Sequence, residues 1–145
     1  MKSVVVKGLQ TEFCPYELAE KIFSVDRNIR YLGVTGLGPE YEIKVTRMRE
    51  EVRSLTPADE DRDFLGLIPE IILGIGDKLK DHLGGIGYAL LCFQKVTLML
   101  FRTPEYFVVL GLEAGTFARP IYEKLNILLD LKQNTAAARS GLPVS

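Results

Sequence analysis

The chain has 145 residues, 47% hydrophobic and 26% charged, which suits one globular domain with its own apolar core and excludes a disordered, charge-dominated polymer. Eighteen basic and nineteen acidic side chains leave a formal net charge of −1, so no overall field gathers nucleic acid or an anionic membrane. The two cysteines, Cys14 and Cys92, have no metal-type spacing and a core of this size needs no disulfide, so a reducing cytoplasm is the expected setting.

The opening stretch MKSVVVKGLQTEF holds only three consecutive valines, too few for a signal peptide or a membrane span, and no later apolar run reaches the length of one. A soluble chain is expected. Residues 1–14 read either as an arm or as a short first strand. From Pro15 the pattern becomes helical, with Leu18, Ile22 and Val25 on one side and proline in the first turn, and the expected helix runs to about Asp26.

Ile29 to Val34 reads as a strand, followed by the turn-forming Gly36-Leu37-Gly38-Pro39. Tyr41, Ile43 and Val45 alternate with polar residues, the period of a strand with one wet face, so the two strands make a hairpin. Arg47 to Leu55 either extends the second strand or forms a connecting helical turn.

Thr56-Pro57-Ala58-Asp59-Glu60 is a helix start, with threonine as cap, proline in first position and acids facing the exposed amides. In the long helix that follows, Phe64, Ile68, Ile71, Ile72, Ile75 and Leu79 form an apolar stripe, and Leu65, Leu67 and Leu73 widen it beyond what one contact needs. Pro69 should kink the helix, and Gly84-Gly85 should end it after His82.

Three strands then follow closely, Ile86 to Phe93, Val96 to Arg102 and Tyr106 to Leu112, with room between them only for hairpin turns. Both alternating sets of side chains are apolar, so both sheet faces require cover. A last helix takes in Ile121, Tyr122, Leu125, Leu128 and Leu129 and ends near Gln133. Residues 134–145 lack periodicity and read as a flexible tail.

No catalytic constellation emerges. Gly33, Gly36 and Gly38 have the spacing G-x-x-G-x-G, not the dinucleotide fingerprint, and a strand follows them. His82 is the only histidine, and its place at a helix end suits an interaction with exposed carbonyls. Cys14, just before Pro15, either caps the helix, is exposed or packs, and Cys92, within an apolar strand, reads as packed, since no Cys-His arrangement supports a nucleophile. Lys44, Arg47, Arg49 and Arg53 alternate with acids and read as a solvated face, and Asp59, Glu60, Asp61 and Asp63 serve the helix start, so no metal is expected.

The element order, together with Ile29-Arg30-Tyr31-Leu32-Gly33-Val34 before the glycine-rich turn and Gly84-Gly85 before the meander, resembles the roadblock (dynein light chain) superfamily with its profilin-like sandwich. The likeness covers residues 15–133 as one domain and is shared with small archaeal proteins of the same pattern; the scarcity of Asn and Gln, three of each, points to a heat-adapted source. It implies an α+β fold: a five-stranded antiparallel sheet, the first and last helices on one face and the middle helix on the other. It further implies a homodimer made by the middle helix and the first meander strand, which would place Leu65, Ile68, Ile72, Ile75, Leu79, Tyr88 and Leu90 at the interface.

The expectation is therefore a non-enzymatic dimeric scaffold or regulatory module that needs no cofactor and binds a protein partner such as a small GTPase. The alternative is a small-molecule sensor, with Tyr88, Phe101 and Phe107 lining a pocket between sheet and helix.

Overall fold

In the computed structural model, which describes residues 14–129, the elements follow as α1 (Pro15–Phe23), β1 (Ile29–Gly36), β2 (Ile43–Met48), α2 (Ala58–Leu83), β3 (Ala89–Cys92), β4 (Val96–Arg102), β5 (Tyr106–Glu113) and α3 (Ala118–Leu129). This is the expected order. The expected tail and nearly all of the expected N-terminal arm lie outside the described residues. The strands form one antiparallel sheet in the order β2-β1-β5-β4-β3, with β2 and β3 at its edges.

Strand β5 lies at the centre, and its residues Phe107 to Leu112 are buried without interruption, because helices cover both faces. On one face, Leu18, Ala19 and Ile22 of α1 and Ile121, Leu125 and Leu129 of α3 share a core with Met99, Phe101 and Leu110. On the other, Leu65 and Ile68 of α2 meet Leu100, Phe107 and Val109. Gly33 makes this second contact close. A Cβ there would lie 3.0 Å from both methyls of Leu65 and 2.8 Å from the Tyr31 hydroxyl, so α2 descends onto bare backbone.

Helix α1 stops at Phe23, short of the expected Asp26. The Ser24 hydroxyl donates to the Lys21 carbonyl at 2.6 Å, and Arg49 reaches across to end the helix. One guanidinium nitrogen of Arg49 donates to the Phe23 and Asp26 carbonyls, each at 2.8 Å, and its Nε donates to Ile29 O at 2.6 Å. The same group lies 5.1 Å from the centre of the Phe23 ring. Arg47 and Met48 extend β2, but residues 49–55 are a turn and irregular chain, so the strand reading holds only for the first two residues of that stretch and the helical turn for none.

The basic stretch is thus a set of structural ties and not merely a solvated face. Arg47 pairs with Glu20 at 2.7 Å, and Arg30 grips both oxygens of Glu113 at 3.1 Å while donating to the Arg53 carbonyl at 2.8 Å. These pairings tie the sheet edge to α1 and to the chain leading into α2.

At the start of α2, Pro57 takes the capping position expected of Thr56, whose hydroxyl donates to the Asp61 carboxylate. The helix ends as expected at Gly84, whose φ of 83° lies in the left-handed region that favours glycine. Strand β3 is shorter than the expected Ile86 to Phe93.

Candidate partner-binding surface

At 1.5 Å per residue, the 26 residues of α2 span about 39 Å, longer than the roughly 27 Å of an eight-residue strand. A helix of this length lying across a small sheet presents a whole side to the outside. Leu67, Ile71, Ile75, Leu79 and Leu83 fall at strict four-residue intervals, and all are exposed; Ile75 is 49% and Leu83 73% accessible. Successive i, i+4 positions drift by about 40° around the axis, so these residues form an oblique ridge and not a straight stripe.

The structure redistributes the residues expected at an interface. Leu65 and Ile68 belong to the core beneath α2, 0% and 7% accessible, and cannot meet a partner without unpacking the helix. Ile72 is half-buried on the same side. Tyr88 turns to the opposite sheet face, where its ring lies 4.4 Å from that of Tyr122. Ile75 and Leu79 are exposed on the ridge. Leu90 is exposed on β3, on the face shared by α1 and α3 but beyond their reach. Leu67, Ile71 and Leu83 are exposed as well, Leu83 because it lies about five turns beyond Leu65 on the same side, past the buried part of the helix; the constant spacing of four was the available signal.

Strand β3 lies at the edge of the sheet and pairs only with β4 among the described residues, so one row of its backbone amides and carbonyls has no neighbour there. Ile86 and Phe93, on either side of it in the chain, are exposed as well.

The other candidates for chemistry stand apart from one another. His82 is exposed in the last turn of α2; Cys14 is exposed at the N-cap of α1, one of the places open to it, and Cys92 is exposed too, which corrects the expectation that it packs. Cys14 precedes α1, its amide donating to Glu17, and Cys92 lies on the edge strand where no helix covers it. Among the described residues no group of three or more His, Cys, Asp or Glu is placed to hold a metal ion, and no helix is long and apolar enough to cross a membrane.

The expected pocket lining of Tyr88, Phe101 and Phe107 does not come together. Phe101 and Phe107 are sealed on opposite faces of the sheet and Tyr88 stacks on Tyr122. Burial, with the neighbouring Tyr88 second, raises the Tyr122 pKa. A cleft of about 340 Å³ does exist between sheet and α2, at the first turns of the helix, and Tyr31 contributes to its wall. The Tyr31 hydroxyl is buried with no hydrogen-bond partner among the described residues, and burial, then the charge of Asp61, pushes its pKa up.

No family model matches the sequence, and no curated protein does. Solved structures do match. MglB in a tetrameric arrangement superposes with a TM-score of 0.59 at 14% identity, covering 92% of this chain and 98% of that one. The gliding protein MglB from Thermus thermophilus gives 0.54 at 12% identity over 92% and 99% of the two chains. A Roadblock/LC7 domain from Streptomyces avermitilis gives 0.51 at 8% identity over 79% and 92%. With its five-stranded antiparallel sheet between one helix and two, this chain has the roadblock/LC7 fold.

Proposed function

We propose that the protein is a non-enzymatic roadblock-like scaffold or regulatory module that works as a homodimer and presents a composite surface to a small GTPase. The observation that carries the dimer is the exposed ridge of five leucines and isoleucines that winds along α2, together with the edge of β3 that pairs with nothing beyond β4 among the described residues. Rows at i±4 form the ridges of the commonest helix-on-helix packing, so two copies of α2 can interlock along them.

Magnitudes favour using both features. Each side chain is already partly covered, so burying the rest yields about 1 kcal/mol apiece, on the order of 10 kcal/mol for two copies. Association costs about 4–15 kcal/mol, which leaves little surplus from the ridge alone. Hydrogen bonds between two β3 edges supply more, as in other strand additions. MglB occurs in a tetrameric arrangement, which supports self-association as a use of this fold. The GTPase rests on the roadblock resemblance, and a cytoplasmic site of action follows from that partner.

The partner is tested by immobilising the protein and passing over it the small GTPases of its own organism, each loaded with GDP or with a non-hydrolysable GTP analogue. Saturable binding that depends on the nucleotide and is lost in Ile75→Glu supports the reading. Binding by none of them, with the dimer intact, contradicts the GTPase assignment.

A further inference from the structure

We propose that the cleft at the start of α2 is a binding site for a small amphipathic cation, a flat apolar body carrying one amine. This goes beyond the scaffold reading and does not rest on it: α2 contributes Glu60, Asp61 and Phe64 to the cleft, all before the ridge begins at Leu67.

The cleft exists because α2 covers only part of the sheet face. Leu65 and Ile68 press on Leu100, Phe107 and Val109, which leaves the end of the face nearest Met48 and Val96 open under the first turns of the helix. Gly111 deepens its floor. A Cβ there would come within 3.0 Å of the Tyr31 Cβ and 3.7 Å of a Val96 methyl, so the bare backbone keeps a hollow between strands that any side chain would fill. Leu98 and Val109 complete the floor, and Tyr31, Phe64 and Phe93 supply aromatic walls. About 340 Å³ lies within the range of small-molecule sites, roughly 300–1,000 Å³, and the lining has their character, apolar with a few polar groups at the rim.

The rim decides the charge. Its one cation, Arg30, is already spent: both its contacts to Glu113 are made at 3.1 Å, and its other terminal nitrogen donates to the Arg53 carbonyl. The carboxylates are not balanced in the same way. Asp61 accepts only the Thr56 hydroxyl, and the Glu60 carboxylate has neither an ion pair nor a hydrogen bond among the described residues. The amide end of α2 offsets about half a unit of this negative charge, which leaves a net attraction for a cation. Aromatic faces beside the carboxylates add to it. An anionic ligand of the same shape would meet two carboxylates and no free cation.

The test uses tryptamine against indole-3-acetate, which have the same ring system and opposite charge. The chain contains no tryptophan, so the indole fluorescence belongs to the probe alone. The expected result is a saturable anisotropy rise with tryptamine at submillimolar concentration and binding of indole-3-acetate at least about fivefold weaker, the ratio that about 1 kcal/mol of partly exposed charge pairing gives. In amide NMR spectra the tryptamine-induced shifts should centre on Leu98, Val109 and Gly111. The double variant Glu60→Gln/Asp61→Asn should lose most of the preference while keeping its dispersed spectrum. No saturation at millimolar tryptamine, equal binding of the two probes, or shifts centred elsewhere would each overturn the proposal.

Discussion

The inward and outward rows of α2 are built from the same residue types, yet Leu65 and Ile68 are sealed against the sheet while Leu67, Ile71 and Ile75 stand half in water. Composition cannot distinguish them. What separates them is the ground beneath the helix: Gly33 removes a side chain from β1, and Leu65 drops into the space. The inward row therefore carries the stability of the folded chain, and the outward row carries only what an encounter with another surface can use. Substitutions that strike one row and spare the other test this division.

The largest effect belongs to the inward row. Leu65→Ala removes a fully buried side chain, and the sheet cannot close the gap, so denaturant unfolding should show a loss of about 3–4 kcal/mol. Next comes Arg49→Ala, which takes three charge-assisted hydrogen bonds from the carbonyls of Phe23, Asp26 and Ile29. A loss of about 2 kcal/mol is expected, since the region is only part-buried. Arg49→Lys should recover only part of it, because an ammonium cannot hold the forked geometry.

Tyr31 lies beneath the inward row and sharpens the comparison from the opposite direction. Its hydroxyl is buried without a partner among the described residues, so Tyr31→Phe should raise stability by about 1 kcal/mol. The pH dependence has a definite sign. The folded pKa is raised above the ordinary value of 10.0, so the neutral phenol's contribution is fully present below pH 10 and is lost as pH climbs towards the folded pKa. Unfolding curves above pH 10 should fall more gently for Tyr31→Phe than for the parent, and equal slopes would remove Tyr31 as a cause of alkaline loss. The smallest effect on the isolated fold belongs to the outward row: Ile71→Ser and Ile75→Ser should each change unfolding in dilute solution by less than about 0.5 kcal/mol.

The sequence made some of this legible. Strand β4 occupies the expected Val96 to Arg102, and the two-faced apolar pattern of β4 and β5 correctly required cover on both sides. Gly84 marks the expected end of α2. Which residues of α2 are covered was not legible, because Leu65, Leu67, Ile68 and Ile71 share an arc of about 160° and Leu83 repeats the direction of Leu65 yet is exposed, so only the contour and extent of the sheet decide. Arg49 was hidden for a related reason. Its bonds run to carbonyls 20 to 26 residues away, and local alternation with acids resembles a wet surface. The cleft draws on four of the five strands and on α2, so no local pattern announces it.

Sedimentation equilibrium across a range of protein concentrations, comparing the parent chain with Ile71→Ser/Ile75→Ser, tests most directly whether the outward row is an interface. The expected result is a parent dimer with micromolar or tighter affinity and a double variant that is monomeric at the same concentrations, with unchanged secondary structure. A parent that stays monomeric, or a double variant that dimerises as tightly as the parent, would contradict the assignment.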